Sequence, residues 1–165
     1  MKRLLYILTA LVLFQCGSTS NLFFAHKKPS STKIDARFLP YFKILDSIYK
    51  KNDIVIDYKK VSSITDIDSI PKPLGYSVEG VYNKVTKIVY VNSDQFDAFI
   101  QGHYVDMMVL ILAHEIAHSQ GKEHSSDINS IMYPSSTYTF YLLEQCTVEE
   151  LVTEIYTKDY PILKE

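Results

Sequence analysis

Residues 114–124 read His114-Glu115-Ile116-Ala117-His118-Ser119-Gln120-Gly121-Lys122-Glu123-His124, and the rest of the chain is organised around them. A helix turns once per 3.6 residues, so His114 and His118 project from one face, one turn apart, and their imidazoles can converge on a single ion. Glu115 stands about 100° further round the helix, close to that ion but outside the two-histidine clamp. Gly121 falls where the helix must stop, because glycine accepts the left-handed conformation that reverses the chain. The reversal returns His124 toward the same ion as a third ligand, whereas a continuing helix would carry it away.

The surroundings of the motif add weight to it. Met107 to Ala113 is apolar on every side, so the helix expected over 104–119 should run through the middle of the domain. Eight residues beyond His124 comes Ser130-Ile131-Met132-Tyr133-Pro134, which places Met132 in a turn. A catalytic zinc takes three protein ligands and keeps one position for water, whereas a structural zinc closes its fourth position with another Cys or His. None stands nearby in the sequence, and a structural zinc gives Glu115 no role. The expected chemistry is therefore hydrolysis by zinc-activated water, with Glu115 as general base.

The spacing H-E-x-x-H-x-x-G-x-x-H followed by a methionine turn resembles the metzincin zinc peptidases. Ser125 after the third histidine, Asp127, and Tyr133-Pro134 after the methionine resemble the matrixin branch. That resemblance implies that Met132 lies beneath the metal as an apolar floor without coordinating it. It also implies that Pro134, with Tyr133, borders the substrate pocket; Ser136 stands where the family usually has a tyrosine. More loosely, Asp53-Ile54-Val55-Ile56 resembles the family's inner strand. Leu74-Gly75-Tyr76 resembles the lead into an edge strand over 77–82 that would pair with extended substrate. The cysteine-bearing pro-segment that keeps many matrixins latent has no counterpart.

The amino terminus has a different character. Lys2 and Arg3 precede an apolar run from Leu4 to Phe14, too short to span a bilayer comfortably and suited to an export signal. The run ends at Leu13-Phe14-Gln15-Cys16, which resembles a bacterial lipoprotein signal in which Cys16 is lipidated, with Phe14 and Gln15 replacing the usual small residues. The alternatives are an ordinary cleaved signal with Cys16 incidental, giving a periplasmic or secreted protein, and a retained N-terminal membrane anchor. The expected organisation is a signal over 1–15, a flexible tether over 16–34 rich in Ser, Lys and Thr, and a catalytic domain over 35–165. Across the 165 residues, 47% are hydrophobic and 22% charged, which argues against disorder. The net charge of −2 leaves no basic stripe for nucleic acid. With only Cys16 and Cys146 present, a lipidated Cys16 leaves no disulfide to support the fold, and Cys146 reads as a small buried hydrophobe.

Taken in order, apolar spacing predicts a helix over 35–51 with Asp35 as N-cap and Pro40 near its start. Alternation predicts a strand over 53–58, and Ser, Asp and Pro a loop over 62–74. Two strands are expected over 75–82 and 86–92, with a turn at Asn83-Lys84. A short helix over 94–101 is capped by Ser93, and residues 135–141 read as loop. Thr147 with Glu150 forms a capping box that opens a final helix whose inner face is Leu151, Val152, Ile155 and Tyr156. No strand is evident before the first helix. His26 and His103 read as ordinary surface or loop residues.

These readings combine into an α+β, zincin-like fold: a small twisted mixed sheet packed on a central active-site helix, with the methionine turn and C-terminal helix below. The expected function is an exported, lipid-anchored zinc metalloendopeptidase acting as a monomer on protein or peptide substrates. It would hold one catalytic Zn2+ through His114, His118 and His124, and no acidic cluster supports a structural Ca2+. Two alternatives are a zinc-binding adhesion module without turnover and a hydrolase of cell-envelope peptides. The intact Glu115 argues against the first.

Overall fold

The computed structural model describes residues 32–69, 79–92, 103–134 and 136–158. The signal, Cys16, the tether before residue 32, Leu74-Gly75-Tyr76 and the 94–101 helix lie outside these residues. Within them the chain forms β1 (Lys33–Ile34), α1 (Leu39–Lys51), β2 (Ser63–Asp66), β3 (Gly80–Asn83) and β4 (Ile88–Val91). These are followed by α2 (Tyr104–Ser119), α3 (Ser136–Leu143) and α4 (Val148–Thr157). The sheet order is β1-β2-β4-β3. β1, β2 and β4 run parallel, and β3 is antiparallel to β4 on the edge. This is the mixed α+β arrangement expected from the sequence.

The centre is α2, where Met107 to Ala113, Ile116 and Ala117 are all buried. A helix apolar all round has to be covered on every side. Here α1, α3, α4 and strands β3 and β4 pack against it. Phe42, Leu45, Ile48 and Tyr49 of α1 are buried at three- and four-residue spacing, Val89 and Val91 come from β4, and Leu151, Val152 and Ile155 from α4. The inner face expected for α4 is thus in place, with Tyr156 packed against the core from its margin. The β3–β4 hairpin also holds, over 80–91, but Asn83 closes β3 and the turn spans residues 84–87 rather than Asn83-Lys84.

Four expectations are corrected. Residues 53–58 do not form the inner strand. Ile54 and Ile56 are buried while Val55 is 71% exposed, so the alternation is real, but the backbone pairs with a side chain rather than with a strand. Asp57 N–H donates to Gln120 Oε1 at 3.0 Å, and Asp57 then caps a 3-10 turn over Tyr58–Lys60. The inner strand is β2, inside the segment read as loop. It was hidden because its inward residues are Ile64 and Asp66, and a buried carboxylate mimics loop composition. Asp66 is tolerated there because Arg37 Nη1 and the Asp68 N–H donate to it, at 2.8 and 2.9 Å.

The other three concern the ends. A two-residue strand, β1, does precede α1, with Asp35 N–H donating to Ile64 C=O at 2.9 Å. Asp35 is not the N-cap of α1. Its carboxylate instead accepts from the Arg37 N–H and guanidinium, in a turn that precedes the helix. Residues 136–143 form α3 rather than a loop; Thr139 is buried, and Leu142 and Leu143 pack on the core, so burial outweighs the weak helix propensity of the segment.

At the start of α4, Thr147 Oγ1 accepts from the Glu150 N–H and the Glu150 side chain accepts from the Thr147 N–H, the reciprocal capping box. Thr147→Ala should therefore lower unfolding stability by about 1 kcal/mol, read as a shifted denaturant midpoint with unchanged slope.

Candidate metal centre

The three histidines come together at the C-terminal end of α2. His118 Nε2 lies 3.0 Å from His114 Nε2 and 3.1 Å from His124 Nε2. Each histidine offers one nitrogen to a common point, the donor atoms lying within 4.8 Å of one another. Among the described residues this is the one His, Cys, Asp and Glu cluster with that geometry. His114 and His118 are half-buried and His124 is exposed, so the cluster has a dry floor and an open side.

The local chain explains the convergence. His114 and His118 sit one turn apart on α2, whose rigidity comes from the burial of Met107 to Ala113, Glu115, Ile116 and Ala117. At the helix end, Lys122 N–H donates to Ala117 C=O and Gly121 N–H to His118 C=O, both at 3.0 Å. This is a Schellman stop with Gly121 at φ 91°. The reversal brings the Lys122 carbonyl back over His118, where it accepts from Nδ1 at 2.7 Å. The methionine turn does the same for the first histidine: Ile131 C=O accepts from His114 Nδ1 at 2.9 Å. Met132 is fully buried in that turn, and its carbonyl accepts from the Ser125 N–H at 2.9 Å. The segment carrying His124 is thus tied to the floor of the site.

These contacts settle which ring nitrogens carry protons. A carbonyl oxygen only accepts, so Nδ1 of His114 and of His118 must bear the hydrogen. In the neutral rings each Nε2 then presents a lone pair, and the two lone pairs face each other at 3.0 Å with no proton between them. Burial, with the neighbouring His118, pushes the His114 pKa down to about 3, and burial lowers His118 and His124 as well. Protonation therefore does not relieve the crowding at neutral pH, and a cation does. Two nitrogens bound tetrahedrally to zinc at about 2.0–2.1 Å stand about 3.3 Å apart, so a small relaxation of this cluster accommodates the ion. An all-imidazole donor set suits zinc rather than calcium or magnesium.

Glu115 follows His114 on α2 and is 6% exposed, with its side chain packed against Gly80 of β3. Burial pushes its pKa up to about 8, opposed by hydrogen bonding from the Tyr82 backbone on β3. A cation at the three histidines favours the carboxylate form. Tyr133 and Pro134 follow the methionine turn, half-buried and exposed respectively. His103 precedes α2, with Nδ1 3.5 Å from Asp106, and stands apart from the cluster. The hydrogen-bonding roles of Ile131 and Lys122 were missed from sequence, since any residue supplies a carbonyl.

Replacing Gly121 by alanine should cost about 1–2 kcal/mol, because the left-handed backbone opposes a Cβ. It should also weaken zinc binding by moving the Lys122 carbonyl off His118. Zinc titrations followed by the thermal midpoint test both effects, since wild type should gain stability with added zinc and Gly121→Ala should gain less.

The model of the matrixin family, peptidase family M10, matches residues 35–149, well over half of the chain. No curated protein and no solved structure gives a significant match. The matched span runs from the turn before α1 to the opening of α4 and takes in the three histidines, Glu115 and the methionine turn. The chain belongs to the matrixins, a family of zinc metallopeptidases.

Proposed function

We propose that the chain is an exported zinc metalloendopeptidase that cleaves peptide bonds within extended substrates. The observation that carries this reading is the pair of carbonyl-held imidazoles whose lone pairs converge with His124 beside a buried Glu115. His114, His118 and His124 would hold zinc through Nε2. Bound zinc supplies a Lewis acid for the scissile carbonyl and makes water nucleophilic near neutral pH.

The remaining steps belong to the chain's own groups. Glu115 takes a proton from the attacking water at a carboxylate oxygen and passes it to the leaving amine nitrogen as the C–N bond breaks. The substrate backbone is aligned by β3, the open edge of the sheet. Asn92 N–H donates to Glu79 C=O at 2.8 Å, so ladder bonds to β4 fall at residues 79 and 81. The backbone groups of Gly80 and Tyr82 accordingly point away from β4; the Tyr82 N–H is taken up by the Glu115 carboxylate, and an extended peptide can add at the remaining groups as a further strand. Tyr133 and Pro134, which follow the methionine turn, would line the pocket for the residue after the cut, as the family resemblance implies. For the amino terminus we propose export by residues 1–15 and lipidation at Cys16, supported by the run Leu4 to Phe14 and its ending at Cys16.

Purified Glu115→Ala should keep one zinc per chain and lose about 10²–10⁴-fold in cleavage of a broad peptide library, the usual contribution of a general base. Zinc-loaded wild type that cleaves nothing the variant does not would end the peptidase reading. Membrane partitioning in cells should be lost in Cys16→Ser; partitioning that survives removes the lipid anchor.

A further inference from the structure

Gly80 opens the edge strand directly above α2, and the space over its α-carbon is already filled. A Cβ built there would lie 2.9 Å from Cγ of Glu115, 2.9 Å from its Oε1 and 3.0 Å from Cγ2 of Ile111. Carbon–carbon contact begins near 3.5 Å, so a methyl group at this position and the present Glu115 conformation exclude each other. Conformational freedom does not account for the glycine, because Gly121 is the one glycine with positive φ among the described residues. Gly80 pairs with Val91 in a regular antiparallel register, a backbone that any residue adopts. Nor is the neighbourhood able to yield. Ile111 lies in the all-buried part of α2, and Glu115 is itself buried with its carboxylate held against the Tyr82 backbone. The clash includes Cγ, a mid-chain atom, so a rotation of the carboxylate alone does not remove it.

We propose that Gly80 is a positioning residue for Glu115: the missing side chain on β3 is the slot that holds the carboxylate between the edge strand and the metal centre. The edge strand then has two roles at neighbouring positions. Gly80 admits the glutamate by omission, and Tyr82 holds it through its backbone. A side chain at 80 drives the carboxylate out of its slot while leaving the histidines in place, since Ile131 and Lys122 hold His114 and His118 and the Ser125–Met132 hydrogen bond ties down the segment of His124. The inference rests on the peptidase reading for its consequence in catalysis, but the slot itself exists whether or not the chain cleaves peptides.

Two measurements separate these. The first is a double-mutant cycle on the thermal midpoint of the metal-free chain, with Gly80→Ala and Glu115→Ala alone and together. Gly80→Ala should lower the midpoint by several degrees when Glu115 is present and by clearly less once Glu115 is trimmed to alanine. An equal loss in both backgrounds would overturn the slot. The second uses zinc-loaded protein with a cleaved peptide. Gly80→Ala should lower kcat at least tenfold, with KM within about threefold and one zinc retained, whereas Gly80→Ala with unchanged kcat would overturn the positioning role. Should wild type cleave nothing, the peptidase reading fails on its own, and the cycle still decides whether Gly80 makes room for Glu115.

Discussion

Two hydrogen bonds from imidazole Nδ1 to main-chain carbonyls, His114 to Ile131 at 2.9 Å and His118 to Lys122 at 2.7 Å, govern the rest of the site. Each fixes a ring's orientation and its tautomer together, so that both Nε2 lone pairs face the same point. The carbonyls come from the two turns that the motif places around the helix end, one made by the glycine stop and the other by the methionine turn. Remove either turn and the histidines remain on their helix face but lose the partner that aims them. The methionine turn is therefore part of the arrangement through the Ile131 carbonyl, and Met132 is itself fully buried.

Rigidity upstream has a complementary origin. Met107 to Ala113 of α2 are buried on all sides, and the layers around them are themselves pinned by polar contacts at the sheet's margin. Arg37 bridges Asp35 and the buried Asp66, fastening the turn before α1 to the end of β2. Gln120 ties the extended segment at Asp57 to the end of α2. With ligands on such a helix and carbonyls in tight turns, little conformational entropy is left to lose when a metal binds. The open side of the cluster is the side of the exposed His124.

The site was far more legible in the sequence than the sheet. Helical spacing alone puts His114 and His118 on one face, and a glycine followed by a third histidine needs only the left-handed stop, which Gly121 adopts. The α2 core and the α4 capping box were equally readable, since both depend on local pattern. The inner strand was not, because β2 carries half-buried Ser63 and Thr65 on one face and buries Asp66 on the other, a carboxylate compensated by Arg37 from 29 positions away. Ile54 and Ile56 misled for the converse reason: alternation reports which side is buried, not what the backbone pairs with. Gly80 could not be understood at all without the coordinates, since nothing local requires a glycine in a regular strand.

The central claim is that backbone carbonyls hold the first two histidines with Nδ1 protonated and Nε2 directed at the ion. Long-range proton–nitrogen NMR of imidazole-labelled protein, recorded as zinc is added to one equivalent, reads this directly. The account predicts that His114 and His118 keep Nδ1–H throughout while Nε2 of His114, His118 and His124 shifts to metal-bound values in step. Zinc bound through Nδ1 of either helical histidine, or binding that leaves any of the three Nε2 signals unmoved, would contradict it.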